Sequence, residues 1–333
     1  MIFFLWLIIG LRDLSVGVDT LGYIESFATI AEKSFSQIIN DLKLSHEKLF
    51  LAISWLLSQI SNTSLFFNMF WAAVPAISIY ISLRDELDNT GGYLLSLLCL
   101  FALGLLAFFM AGIRQTAAIS VILLSYKYLK NINIAYSFKL LKDANLIKFL
   151  LCLLLAYNLH NSSILFVLIL PLLKIKVRWW YLMAVIALFF VENYIDISIL
   201  VRISEFFFND RFANYGTVYE SSQSINAYVM QFLLFIICFF KRDKLIAKDD
   251  RNRILLNIAI LGLIFQSFSG MIYEMARVSF YFSIFYIILV PKAINEYSTS
   301  TRKTISNAFC ILLLYYLFFL SSANLPEYKS VLL

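Results

Sequence analysis

Charge is scarce in this sequence of 333 residues, of which Asp, Glu, Lys and Arg make up 14%, against about a quarter in soluble globular domains. So low a charged fraction excludes a water-soluble domain. The sequence also holds only 4 Pro and 10 Gly, and its apolar residues form long runs instead of alternating with polar ones. These features favour α-helical membrane spans over an outer-membrane barrel of alternating strands.

Cysteine is equally sparse, and the 4 cysteines all lie in apolar runs without paired spacing: Cys99, Cys152, Cys238 and Cys310. We therefore predict no disulfide, no zinc site and no cofactor. The net charge of +6 comes from basic residues in short loops between apolar runs. Orientation in a membrane requires this arrangement, so a nucleic-acid partner is not expected.

Hydrophobic residues make up 61% of the sequence. Runs that could each cross a bilayer, which takes roughly 20 residues, begin near Met1, Leu65, Tyr93, Gln115, Ile147, Ser163, Trp179, Ala227, Ile254, Ala276 and Ala308. We predict an all-α, polytopic integral membrane protein with about eleven spans, folded as a single transmembrane domain over residues 1–333. The first run, Met1 to Gly10, lacks a basic flank and a cleavage site, so we expect a shortened anchor and not a signal peptide.

The positive charges predict which side of the protein faces the cytoplasm. If the spans alternate, two thirds of the 27 Lys and Arg fall on one side, and the positive-inside rule makes that side cytoplasmic. Two outer segments are then long, at about residues 12–64 and 201–225. The first contains an apolar helix from Glu47 to Leu57, predicted to be interfacial or re-entrant. The second contains an aromatic-rich segment, Glu205 to Tyr219, predicted to lie at the membrane surface.

Arg114 is the clearest candidate for a functional residue. It lies between two apolar runs with no acidic neighbour along the chain, so we expect an unpaired charge, which costs at least a few kcal/mol at that depth unless it meets water or a ligand. A guanidinium beside the free backbone N–H groups of a helix start suits a phosphate, and Gln115 adjoins it. The alternative is an arginine that snorkels to the membrane interface.

His160 and Arg277 occupy comparable positions. His160 lies in a polar break, Tyr157 to Ser163, within a long apolar run, and an imidazole can accept the proton of a hydroxyl at neutral pH. Arg277 opens another apolar helix, with Tyr281 one turn below it. The alternatives are a histidine that only caps a helix and an arginine paired structurally with Glu274.

Weaker candidates lie in the two outer segments: Arg12, Asp13, Asp19, Tyr23 and Glu47 in the first, and Arg211 and Tyr215 in the second. We expect the candidates to meet at the outer face around an anionic substrate. Glu47 or Asp19 could replace His160 as the base, because burial makes a carboxylate a stronger base.

Five motifs along the chain resemble those of a known family. They are R-D-x-x-V-G-x-D-x-x-x-Y from Arg12 to Tyr23, a Glu before an aromatic and aliphatic helix at Glu47, G-x-R-Q-x-x-A from Gly112 to Ala118, L-H-x-S from Leu159 to Ser162, and R-x-x-x-Y-F from Arg277 to Phe282. In this order they resemble the EpsG-like branch of the Wzy-type O-antigen and exopolysaccharide polymerases, over almost the whole chain.

The resemblance implies a GT-C-like glycosyltransferase of the bacterial inner membrane, with its site facing the periplasm. Such an enzyme transfers a growing glycan from undecaprenyl pyrophosphate to the non-reducing end of another lipid-linked repeat unit. Arg114 and Arg277 would hold the pyrophosphate, His160 would take the proton of the attacking hydroxyl, and the other candidates would position the glycans. Direct displacement would invert the anomeric configuration. The D-x-D spacing of many metal-dependent glycosyltransferases is absent, so we predict no metal.

The same resemblance implies membrane lipid, and a flippase and a chain-length regulator of the same pathway, as partners. Two other functions fit parts of the pattern. A ligase that moves finished glycan onto lipid A core needs the same pyrophosphate clamp. A flippase or other transporter of lipid-linked oligosaccharides would place its charges near the bilayer midplane, whereas these candidates are expected at one face.

Overall fold

The computed structural model describes residues 2–87, 90–133, 143–191, 225–270, 272, 274–304, 306, 308 and 328–331. Within these residues the backbone is helical and contains no named strand, only an isolated antiparallel bridge between Arg12 and Ser330. The α-helices are α1 Ile2–Gly10, α2 Thr20–Ala31, α3 Phe35–Leu44, α4 Lys48–Ser58, α5 Ser64–Glu86, α6 Thr90–Ala102, α7 Leu105–Ala111, α8 Ile113–Leu129, α9 Ala144–Leu159, α10 Trp180–Val191, α11 Ile225–Phe239, α12 Arg242–Lys248, α13 Asn252–Ser267, α14 Glu274–Ser283 and α15 Tyr286–Asn295. Two 3-10 helices span Asn161–Leu172 and Phe268–Gly270.

Among the described residues, two segments are long and apolar enough to cross a membrane: α5, and α13 with its following 3-10 turn. The number rises to 5 if each of 3 bent helix pairs is one span. A helix lies near each predicted span start as far as Ala276, whereas the run from Ala308 lies almost wholly outside the described residues. Most of these helices are shorter than the roughly 20 residues of a crossing, because breaks such as those at Gly104 and His160 divide the runs. The all-α architecture is confirmed, and the number of eleven spans stays a prediction.

The chain packs as two compact units. The first comprises Met1–Asp88, Gly104–Ile164 and Tyr316–Leu333, and the second comprises Asn89–Leu103 and Leu165–Tyr315. In the first unit α8 packs along α9 and α5, and α1 packs on α5. Ala117 and Ala118 of α8 are buried there, as small side chains that let neighbouring helices approach closely.

The helices α8 and α9 run antiparallel. At one end, Asn145 Nδ2 in the first turn of α9 donates to Asn131 O just beyond α8, at 3.0 Å. Lys130 pairs at that end with Glu86, the last residue of α5. Arg114 lies in the first turn of α8 and therefore at the other end of the helix pair.

In the second unit, α11, α13 and α14 surround a buried polar network. Gln231 Nε2 donates to Gln266 Oε1 at 3.2 Å and to Ser279 Oγ at 3.1 Å, and Ser279 Oγ donates to Gly262 O at 3.0 Å. A Cβ added at Gly262 would lie 3.2 Å from Phe282 Cβ, so the glycine allows α13 to approach α14 closely. The network satisfies buried polar groups and fixes α14, which carries Arg277.

Candidate functional site

Four side chains from separate parts of the first unit meet at one end of α8. The carboxylate of Glu47 accepts a hydrogen bond from Arg114 Nη1 through Oε2, and its Oε1 lies 2.5 Å from His160 Nδ1. Arg114 Nε donates to Tyr23 Oη at 3.3 Å, and its guanidinium lies 5.3 Å from the centre of the Tyr23 ring. We call these four residues the ionic cluster.

Two breaks in the helices position Arg114 and His160. Gly112 ends α7 and begins α8, with φ −95° and ψ 67°, so that Arg114 follows in the first turn. His160 ends α9 in an extended conformation, with φ −159° and ψ 123°, and its backbone N–H donates to Ala156 O at 2.8 Å. The polar segment around His160 therefore ends the helix, as its sequence predicted, and the break presents the imidazole toward Glu47.

Glu47 lies in the connection between α3 and α4, directly before the first residue of α4. Its backbone N–H donates to Ser45 Oγ at 3.1 Å, and it stands at the N-cap of α4 without capping that helix through its side chain. The carboxylate instead points to Arg114 and His160. The predicted helix from Glu47 to Leu57 is confirmed, since α4 has 11 residues, too few to cross a bilayer.

Aromatic side chains fix the helices that bear the ionic cluster. The Tyr23 and Phe50 rings lie 6.0 Å apart, Phe50 stacks on Trp71 at 4.7 Å, and Phe27 contacts Phe67 at 4.6 Å. These contacts join α2, α4 and α5 by the burial and ring geometry that stabilise protein cores.

The ionic cluster contains a carboxylate that stays charged. Burial raises the pKa of Glu47. The hydrogen bonds and charges of His160 and Arg114 together lower the pKa by more than burial raises it, so the pKa falls below the ordinary 4.5. The Glu47 side chain is 15% exposed, against 28% for His160 and 44% for Arg114. Within the described residues, Arg114 Nη2 and His160 Nε2 have no hydrogen-bond partner. Arg114 and His160 therefore each keep one nitrogen that a ligand can contact.

The expectation of an unpaired Arg114 is wrong. Its acidic partner is Glu47, which lies 67 residues away in sequence, so the absence of an acidic neighbour along the chain did not reveal the pair. With Nε bonded to Tyr23 and Nη1 to Glu47, the guanidinium still has Nη2 as a donor in a fixed direction, which suits an anionic ligand.

The described contacts of Arg12 and Asp13 lie elsewhere in the first unit. The Arg12 side chain is 1% exposed, and its Nη1 donates to Ile9 O at 2.5 Å, while burial lowers its pKa to about 10. The partly exposed Asp13 accepts hydrogen bonds from Ser15, which lower the pKa of its carboxyl. Substrate binding by Arg12 and Asp13, and by Asp19 just before α2, stays a prediction.

Sequence reasoning missed Gly17 and Thr20, which hold the R-D motif against the end of α7. Thr20 Oγ1 donates to Val16 O at 2.7 Å and contacts Met110 O at 3.1 Å. Gly17 has φ +90°, and a Cβ there would lie 2.6 Å from Met110 O. Because Met110 stands just before the Gly112 break, this contact helps to set where α8 and Arg114 begin. The glycine within V-G-x-D was the available signal.

The other predicted residues lie in the first unit, in the second unit or outside the described residues. Gln115 is buried in the first unit, whereas Arg277 and the fully buried Tyr281 lie on α14 of the second unit. Arg211 and Tyr215, with the surface segment Glu205 to Tyr219, lie outside the described residues. Around Glu47 and His160, the described part of the chain adds no third His, Cys, Asp or Glu that would complete a metal site.

In the comparison with known protein families, the model of the EpsG family matches residues 1–330. The chain belongs to the EpsG family. This is a family of Wzy-like polymerases, so the family predicted from the order of the five motifs is confirmed. No curated protein and no solved structure matches the chain. The ionic cluster unites residues from four of those motifs.

Proposed function

We propose that this chain polymerises lipid-linked oligosaccharide repeat units of an O-antigen or exopolysaccharide. It would transfer the growing glycan from undecaprenyl pyrophosphate to the non-reducing end of an incoming lipid-linked repeat. The ionic cluster carries the proposal, because Arg114 offers a cationic fork to a phosphate within reach of the basic nitrogen of His160. Membership of a Wzy-like polymerase family supports the same chemistry.

The proposed step is a direct displacement at the anomeric carbon of the donor glycan. The acceptor hydroxyl gives its proton to His160 Nε2 while its oxygen forms the new bond to that carbon. The bond from carbon to pyrophosphate oxygen breaks with its electron pair on the oxygen, and the configuration inverts. The proton then passes from His160 to the released lipid pyrophosphate or to water. This mechanism uses no metal and no cofactor.

Arg114 would stabilise the negative charge that develops on the pyrophosphate, which is the kind of preorganised electrostatic contribution that dominates many transfer reactions. The role that the sequence suggested for Arg277, as a second cation for the pyrophosphate, stays a prediction. The candidates that position the two glycans would be Arg12, Asp13, Asp19, Tyr23, Gln115, Arg211, Tyr215 and Tyr281.

We further propose that the ionic cluster faces the periplasm from the bacterial inner membrane. Within the first unit, Arg114 and Lys130 lie at opposite ends of α8. Within the second, Arg277 opens the bent pair α14 and α15, and Lys292 lies in its last turn. In each unit the lysine lies at the other end of the helices from the candidate arginine. The positive-inside rule assigns the lysine-rich loops to the cytoplasm, which would leave the arginine on the periplasmic side. The eleven crossings and the GT-C-like arrangement belong to this proposal.

Replacement of the reactive groups tests the function in a cell whose surface glycan depends on this chain. We would make Arg114→Ala, His160→Ala and Arg277→Ala singly and resolve the glycan by length. The expected result is a ladder reduced to single repeat units at normal protein level. Arg84→Ala is the matched control, because Arg84 is an exposed arginine bonded to its neighbour Asp85, and it should leave the ladder unchanged.

Two outcomes would refute the proposal. One is a normal ladder from the Arg114 and His160 variants. The other is a strain without the chain in which no glycan, not even a single repeat, reaches the surface acceptor, because that phenotype belongs to a ligase or a flippase.

A further inference from the structure

We propose that Glu47 is a positioning residue that joins His160 and Arg114 into one catalytic unit and fixes the tautomer of His160. This inference deepens the proposed function and rests on it. It also replaces the glycan-binding role, and the role as alternative base, that the sequence suggested for Glu47.

The geometry leaves Glu47 little capacity for a substrate. Its Oε1 faces His160 Nδ1 and its Oε2 accepts from Arg114 Nη1, so both carboxylate oxygens are engaged by protein. Its side chain is also the least exposed of the three, at 15%. Arg114 and His160 keep the accessible nitrogens, so the substrate would meet those residues and Glu47 would act behind them.

The contact with Glu47 determines which ring nitrogen of His160 carries the proton. A carboxylate can only accept, so Nδ1 must be the N–H donor of the neutral imidazole. The lone pair then lies on Nε2, the nitrogen without a partner in the described structure. A carboxylate that orients a histidine in this way also stabilises the imidazolium that forms when the ring takes up a proton.

The bond to Arg114 also sets the distance between the two catalytic side chains. Because the single Glu47 carboxylate bonds both Arg114 and His160, it holds the guanidinium and the imidazole at one separation. Tyr23 Oη accepts from Arg114 Nε at 3.3 Å and fixes the guanidinium from its other side. Holding the two reacting groups of a transfer at a fixed separation lowers the barrier.

Glu47→Gln is the informative variant, because glutamine keeps the size of glutamate but has only one acceptor oxygen. Arg114 can only donate, so it must take the amide oxygen, and the amide N–H₂ is left facing His160 Nδ1. That nitrogen must then accept, which moves the ring proton to Nε2 and removes the base. Glu25→Gln is the matched control, since Glu25 is an exposed carboxylate on α2.

The tautomer can be measured directly, because the chain has only 2 histidines. We would incorporate ¹⁵N-labelled histidine into the full protein in liposomes, record its NMR spectrum with no substrate present, and assign His160 with a His46→Gln variant. Wild type and Glu25→Gln should show neutral His160 protonated on Nδ1. Glu47→Gln should show it protonated on Nε2.

Kinetics with a lipid-linked repeat unit give the second measurement. We expect Glu47→Gln to lower kcat by about 100-fold or more, as for other groups that orient a functional histidine, and to change KM by less than about threefold. Glu47→Asp keeps a carboxylate, so it should keep the Nδ1-protonated tautomer and recover part of kcat. If Glu47→Gln does not fold, the same spectrum of Glu47→Asp decides the question.

An unchanged tautomer in Glu47→Gln would overturn the inference, and so would protonation on Nε2 in wild type or Glu47→Asp. A raised KM at constant kcat would do the same, because it would assign Glu47 to substrate binding. The NMR result needs no turnover. A wild-type protein that forms no polymer would therefore refute the proposed function, while the spectrum would still decide the role of Glu47.

Discussion

At the scale of single residues, Arg114 shows how one side chain can serve both the protein and a ligand. Its Nε and Nη1 bond Tyr23 and Glu47, which hold the guanidinium in one orientation. Its Nη2, which adjoins both of those nitrogens, has no partner in the described structure. The planar guanidinium presents its donors from three nitrogens in fixed directions, whereas an ammonium presents its donors from a single nitrogen.

Arg114→Lys therefore tests the fork separately from the charge. The lysine ammonium keeps the positive charge but presents its donors from one nitrogen, so it cannot match the spacing that three guanidinium nitrogens give to Tyr23, Glu47 and a phosphate. We therefore expect polymer synthesis to fall by about 100-fold. Initial rates with a lipid-linked repeat would measure the loss. Arg84→Lys should leave the rate unchanged, and a rate near wild type for Arg114→Lys would show that charge alone is sufficient.

The acid stability of the protein should depend on Glu47. Its pKa is below the ordinary 4.5 in the folded state, so the ionised carboxylate contributes stability that is fully present above about pH 4.5 and is lost as pH falls through the lower folded value. Thermal unfolding from pH 7 to pH 3 should show a steeper fall in Tm for wild type than for Glu47→Gln. Parallel curves would contradict this prediction.

At the scale of helices, the break between α7 and α8 determines where Arg114 stands. Gly112 ends α7. Thr20 at the start of α2 contacts Met110 O, and Gly17 in the loop before α2 leaves space for that oxygen, which a side chain at this position would meet. Gly17 also has φ +90°, a conformation that other residues adopt only with strain.

Gly17→Ala should consequently destabilise the first unit by about 1–3 kcal/mol and reduce polymer synthesis by displacing the start of α8. Gly22→Ala is the control within the same motif, because a Cβ at Gly22 has no atom within 4 Å. In the helix α2 this change should be neutral or stabilise by up to about 1 kcal/mol. Thermal unfolding of both variants in detergent would measure the difference, and equal effects would exclude the proposed contact.

At the scale of the whole molecule, the two units separate their charges along their helices in the same way. Lys130 with Glu86 marks one end of the first unit, and Lys248 with Glu296 marks an end of the second, at 3.2 Å. The candidate cations Arg114 and Arg277 belong to the opposite ends of helices in their own units. Within each unit by itself, this separation is what the proposed topology expects.

Cysteine labelling tests that orientation within the first unit. With the four native cysteines replaced, His46→Cys should react with a membrane-impermeant maleimide on intact spheroplasts, because His46 is exposed next to Glu47. Asn131→Cys, also at an exposed position at the far end of α8, should react only after the membrane is permeabilised. Labelling of both from the same side would refute the proposed topology.

The helical class, the family and the helix ends at Gly112 and His160 could all be predicted from the sequence alone. Each depends on local properties: composition, the order of motifs, and polar or glycine breaks that end a helix wherever it packs. The tertiary structure was needed to show that Glu47 bonds both Arg114 and His160, from which it is separated by 67 and 113 residues. Those bonds depend on how α4 packs against α9 and how α9 packs against α8, and the sequence around a carboxylate does not indicate which distant residue it will contact.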